Sequence, residues 1–103
     1  MITNLTVETF DDFIASADKP VLVDYWAEWC RPCKMMLPVL EQLSEEWADR
    51  LIVAKVDVDA NEQLALGLTS IPTLRLFKLG EIAYEVTGAK PKMVLMEELE
   101  PNL

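Results

Sequence analysis

The chain has 103 residues, 51% of them apolar and 26% charged, with a formal net charge of -9 and no histidine. One core suffices at this length, since chains divide into several domains only beyond roughly 250–300 residues, and residues 1–103 are read as a single domain. The apolar half argues against disorder, no apolar run approaches the ~20 residues that cross a bilayer, and nine basic against eighteen acidic residues leave no basic surface for nucleic acid.

Met1-Ile2-Thr3-Asn4 lacks the basic start and apolar stretch of a secretory signal, so the expectation is a cytoplasmic protein without a membrane partner. A strand near residues 2–5 is weakly signalled. Thr6 or Thr9 is placed to cap a short helix running to about Ser16, with Val7, Phe10, Phe13 and Ile14 on one face. Lys19-Pro20 ends it. Val21 to Trp26 is a short β-branched and aromatic run, read as a strand covered on both faces.

The next helix opens at Cys30-Arg31-Pro32-Cys33, because proline suits a first turn whose N–H has no intrahelical partner. Cys33, Met36, Leu40, Leu43 and Trp47 follow the rhythm of a buried helical face, and Pro38 is expected to bend that helix. Leu51 to Asp57 is a second strand. Asp59-Ala60-Asn61-Glu62 resembles a capping box, with Gly67 placed to end the brief helix behind it. Thr73 to Leu79 and Ile82 to Val86 form a hairpin joined at Gly80-Glu81, and Pro91 starts a last helix with Val94, Leu95 and Leu99 toward the sheet. Strands alternating with helices imply parallel crossovers, and the hairpin adds an antiparallel pair. The fold class is therefore α/β: a central mixed β-sheet with helices on both faces.

The two cysteines carry the chemistry. A disulfide closing only Cys30 to Cys33 constrains the unfolded chain little. A metal site takes three or four protein ligands, and without histidine one chain offers two thiols and scattered carboxylates. Redox work is the leading reading; zinc shared between two chains is its metal rival. Thiols at i and i+3 across a helix start lie within reach of a disulfide, and the partial positive charge of the helix N-terminus favours a thiolate there. Cys30, at that end, is expected to be the more acidic and exposed thiol, with Cys33 one turn inside. Cys30 then attacks a target disulfide, and Cys33 resolves the mixed disulfide. Asp24, inside an apolar strand, is costly unless partnered, and burial would raise its pKa. Lys55 holds a similar place in the second strand, so alternation can set the two on one face. They form either an Asp–Lys pair satisfied in the core or a proton-handling site.

Trp26-Ala27-Glu28-Trp29-Cys30-Arg31-Pro32-Cys33-Lys34, Ser70-Ile71-Pro72-Thr73 and Phe77-Lys78-Leu79-Gly80-Glu81 resemble, in order and spacing, the motifs of the thioredoxin family. The resemblance implies that family's fold and a general protein-disulfide reductase. Cys30 is then the nucleophile, Cys33 the resolving thiol and Asp24 the buried proton acceptor, with Lys55 beside it. It implies a cis bond at Ile71-Pro72 and a client surface made by Trp29, Arg31, Pro32, Val58, Ile71, Pro72, Gly88 and Ala89. It implies no bound cofactor beyond the Cys30–Cys33 disulfide and no metal. The implied partners are disulfide-bearing client proteins and a flavin-dependent thioredoxin reductase as electron donor, with the chain acting as a monomer. Departures from the family pattern are Arg31 for glycine, Leu79 for a polar turn residue, Glu98 for a core aromatic and Pro91 for a capping serine. Arg31 is expected to tune the thiolate, and the last two to alter packing of the final helix. The rival functions are a dedicated redox partner of one client and a non-catalytic binding subunit of the same fold.

Overall fold

A central strand buried on both faces and a single buried stripe on the long helix organise the computed structural model, which describes residues 1–103. Five strands, β1 (Thr3–Asn4), β2 (Val21–Trp26), β3 (Ile52–Asp57), β4 (Thr73–Lys78) and β5 (Glu81–Thr87), make one sheet in the order β1-β3-β2-β4-β5. β1, β3 and β2 are mutually parallel, while β4 runs antiparallel to both β2 and β5. Three helices complete the fold: α1 (Phe10–Ser16), α2 (Arg31–Glu46) and α3 (Lys92–Leu99). The expected mixed sheet with helices on both faces is present.

β2 lies at the centre, hydrogen-bonded on both edges, and alternation divides its side chains between two cores. Leu22 joins Met36, Leu40 and Leu43 of α2 and Leu95 and Leu99 of α3 on one face. Val21, Val23 and Tyr25 meet Ala54 and Val56 on the other, where Phe10, Phe13 and Ile14 of α1 pack. Each fully buried leucine contributes roughly 1.5–3 kcal/mol. α2 runs through Pro38 to Glu46, its buried residues at the positions that periodicity assigned.

Several local expectations are corrected. The helix after residue 59 is a single 3-10 turn, Glu62–Ala65, and its capping box is absent. Instead the Asp57 carboxylate accepts from the backbone N–H groups of Asp59, at 3.0 Å, and Ala60, at 3.4 Å. Thr9 stands at the N-cap of α1 but makes no capping bond; its Oγ1 accepts from the Thr6 N–H at 2.9 Å. Val94 is 38% exposed, so α3 seats on Leu95 and Leu99, with Met96 packed beside them. Glu98 does not disrupt that seat, because it accepts a hydrogen bond from the Tyr84 hydroxyl across the sheet face.

The hairpin turn is also one residue earlier than its sequence suggests. Lys78 pairs with Glu81, leaving Leu79 and Gly80 as the two turn residues, at φ of 54° and 82°. A two-residue turn matching the strand twist demands positive φ at both positions, and leucine resists it. Leu79 is 96% exposed, so its side chain returns little. Leu79→Asn is expected to raise stability by about 0.5–1 kcal/mol, read as a higher urea midpoint at unchanged slope. A lower midpoint contradicts the turn assignment.

Candidate active site

The site forms where β2 leaves the sheet and α2 begins. Cys30 is the N-cap of α2, held by its own N–H to the Ala27 carbonyl at 3.1 Å, with Pro32 in the first turn. Its Sγ accepts from the Cys33 N–H at 3.3 Å. An N-cap sulfur thus takes one of the unpaired helix donors, the arrangement that favours a thiolate over a thiol. Cys30 and Cys33 are joined as a disulfide with Cα atoms 5.3 Å apart. Cys33 is fully buried and Cys30 is 5% exposed, so the expected order holds but both sulfurs are recessed in this oxidised form. Arg31 and Pro32 are exposed beside them.

The face of β2 that α2 covers carries an unusual polar group between Leu22 and Trp26. Asp24 is fully buried, and neither carboxyl oxygen has a hydrogen-bond partner. Burial pushes its pKa up to about 7, with the Lys55 charge pulling the other way. Lys55 is its register neighbour on β3, as alternation implied. Yet the two form no ion pair: the Lys55 ammonium sits over the Trp26 ring, 4.9 Å from its centroid. The satisfied Asp–Lys pair is therefore not what the core contains. Trp26 follows Asp24 by two residues, hence on the same strand face. Its buried Nε1 is likewise unpartnered.

Val58, Ile71 and Trp26 pack around Ala27, Cys30 and Cys33. The Ile71–Pro72 bond is cis. Ile71 makes no backbone hydrogen bond within the chain, leaving its N–H and C=O open. The Gly88 N–H donates to the Pro72 carbonyl at 2.8 Å, bringing Gly88 and Ala89 to the same rim. Trp29 is 71% exposed, and its indole N–H donates to Asp59 Oδ2 at 2.7 Å. Trp29, Val58, Leu68 and Ile71 line an open, mostly apolar groove.

Of the residues assigned to the site from the sequence, Val58 and Ile71 pack on the cysteine pair, Trp29 shares their groove, Gly88 is hydrogen-bonded to Pro72, and Asp24 and Lys55 are neighbours on β2 and β3. Sequence reasoning missed Asp59, which steadies Trp29, and Leu68 on the groove wall. No spacing signal connects residues 30 apart, as Trp29 and Asp59 are. No group of three or more His, Cys, Asp or Glu side chains is assembled for a metal ion. No helix is long and apolar enough to cross a membrane.

Comparison with known proteins agrees with this geometry. The family model for thioredoxin matches residues 1–101. The thioredoxin of Mycobacterium tuberculosis (strain ATCC 25618 / H37Rv) is 49% identical, the match covering 96% of this chain and 90% of that protein. Thioredoxin of Pseudomonas aeruginosa is 42% identical, over 99% of this chain and 96% of its own length. The bifunctional thioredoxin reductase/thioredoxin of Mycobacterium leprae is 45% identical over 96% of this chain, which spans 23% of that larger protein. With such matches along the whole sheet and a cysteine pair at the start of α2, the chain belongs to the thioredoxin family and is a thiol–disulfide reductase working through Cys30 and Cys33.

Proposed function

We propose that Cys30 is the attacking thiol, Cys33 the resolving thiol and Asp24 the proton acceptor for Cys33. The observation that carries this reading is the N-cap sulfur of Cys30 together with a buried, unpartnered carboxyl on the strand that leads into it. In the reduced protein the Cys30 thiolate attacks one sulfur of a client disulfide. An S–S bond breaks, a new one forms to Cys30, and the first client sulfur leaves as thiolate. Cys33 then gives its proton to Asp24 and attacks Cys30 Sγ. The second client sulfur leaves, and two electrons have passed to the client while the Cys30–Cys33 disulfide closes.

The client lies as an extended segment over the groove, pairing with the open backbone of Ile71 beside Pro72 in the manner of an added strand. Trp29, Val58, Gly88 and Ala89 supply apolar contact, and Arg31 and Pro32 flank the attacked sulfur. Lys55, seated on Trp26, holds a positive charge near Asp24 without closing an ion pair, so the carboxyl keeps a pKa near neutrality. The protein acts as a monomer in the cytoplasm and needs no bound cofactor. A flavin-dependent thioredoxin reductase returns it to the dithiol; the Mycobacterium leprae relative bears both names on one chain.

Reduction of insulin disulfides by dithiothreitol tests the whole reading. The protein is expected to accelerate precipitation of the reduced insulin chains at micromolar concentration, and the Cys30→Ser/Cys33→Ser double variant is not. Equal rates with and without wild-type protein leave the reductase assignment without support.

A further inference from the structure

The two sides of the cysteine pair differ in charge. On the Trp29 side stand two carboxylates, Asp59, which accepts from the indole N–H, and Asp57, which accepts from the Asp59 backbone N–H. On the other side, the start of α2 and the loop 88–91 enclose a second groove, lined by Met35, Met36, Val39, Ala89, Lys90 and Pro91. The Lys90 N–H contacts Met36 Sδ at 3.4 Å, fixing the loop to the helix, and Gly88 ties the same loop to Pro72. Met35 is 66% exposed. No carboxylate lines this groove. Arg31 and Lys90 make no ion pair, and Lys34 is engaged only by exposed Glu28, at 3.1 Å. In a chain with nine basic residues and a net charge of -9, Lys90 lines this groove, and Arg31 precedes Met35 by one helical turn on the same face of α2.

We propose that this groove is a client subsite selecting a segment with an acidic residue next to an apolar one, close to the attacked cysteine. The apolar side chain enters between Met35 and Ala89, and the carboxylate meets Arg31 and Lys90. The overall negative charge opposes acidic clients at long range. At physiological ionic strength, however, charges beyond about 8 Å are largely screened, so the local basic edge decides. The inference rests on the reductase reading and adds the chemistry of the preferred client.

The test compares two peptide disulfides, alike except that the cysteine is flanked on both sides by Glu-Leu or by Lys-Leu. One exposed charge contact is worth about two- to fivefold, so with two contacts kcat/KM is expected to favour the Glu peptide by about fivefold at 0.15 M salt. The preference should fall toward unity at 1 M salt and in the Arg31→Gly/Lys90→Leu variant. Because the readout is a ratio, any change of intrinsic reactivity caused by Arg31→Gly cancels. Equal or better reduction of the Lys peptide refutes the subsite while leaving the reductase intact, and so does a preference that survives in the double variant. Failure to reduce either peptide removes both.

Discussion

Cys33→Ser is expected to turn the protein from a reductase into a trap. Cys30 keeps its N-cap position and its N–H donor from residue 33, a backbone group that serine retains. The first exchange with a client disulfide therefore proceeds, but no second thiol attacks Cys30 Sγ, and the mixed disulfide persists. Turnover should drop by at least about a thousandfold, toward the uncatalysed rate, with about one client equivalent held per protein and released by added thiol. Mass spectrometry of the non-reduced mixture checks this. Cys30→Ser should lose turnover equally yet hold no client, because Cys33 is fully buried. Stable adducts with Cys30→Ser and none with Cys33→Ser would reverse the two roles.

The second large effect concerns Asp24, whose pKa is raised by burial to about 7 in the folded protein. An unfolded aspartate titrates near 3.9. Between those values the folded state binds a proton that the unfolded state has lost, so stability falls as pH rises, by about 1.4 kcal/mol per pH unit. Below about pH 4 both states are protonated and above about pH 7 both are ionised, so this contribution is flat at either end. The cumulative loss above pH 7 is roughly 4 kcal/mol. Asp24→Asn removes it, and the oxidised variant should be about 3 kcal/mol more stable than wild type at pH 8, the amide still being buried without a partner. At pH 4 the advantage should vanish. Urea unfolding at the two pH values measures the difference.

The same substitution should slow catalysis. Without a carboxylate to take its proton, Cys33 must ionise directly to solvent, and resolution of the mixed disulfide at pH 7 is expected to slow by about tenfold or more. In wild type the resolving rate should rise as pH passes through about 7, as Asp24 ionises; in Asp24→Asn the rise moves to the range of the thiol itself. A variant that is stabilised but unchanged in rate and pH profile would make Asp24 a structural liability with no part in proton transfer.

The elements were largely legible because their signals are local. The apolar run Val21 to Trp26, the helical stripe from Cys33 to Leu43 and the proline after Cys30 each act through backbone sterics or periodicity over a few residues. Local signals failed where a neighbour in space outvoted them. Leu79 reads as the end of a strand because it is apolar, yet the pairing of Lys78 with Glu81 makes it a turn residue. Asp59 reads as a cap, yet Asp57 takes the local N–H groups and frees Asp59 for Trp29. Val94 lies at a plausible core spacing, but so short a helix seats on Leu95, Leu99 and Met96.

By itself, then, the order of residues determined the chemistry available: two thiols one helical turn apart, with the helix start that activates the first. That follows from bond lengths and the rise of a helix, which need no distant partner. Tertiary structure alone decided the environment of that chemistry. Asp24 is left without a hydrogen bond because Lys55 rests on Trp26, the backbone of Ile71 stays open, and Gly88 is tied beside Pro72. Which partner a polar group finds depends on strand register and on the packing of helices against both faces of the sheet, and those are properties of the assembled chain.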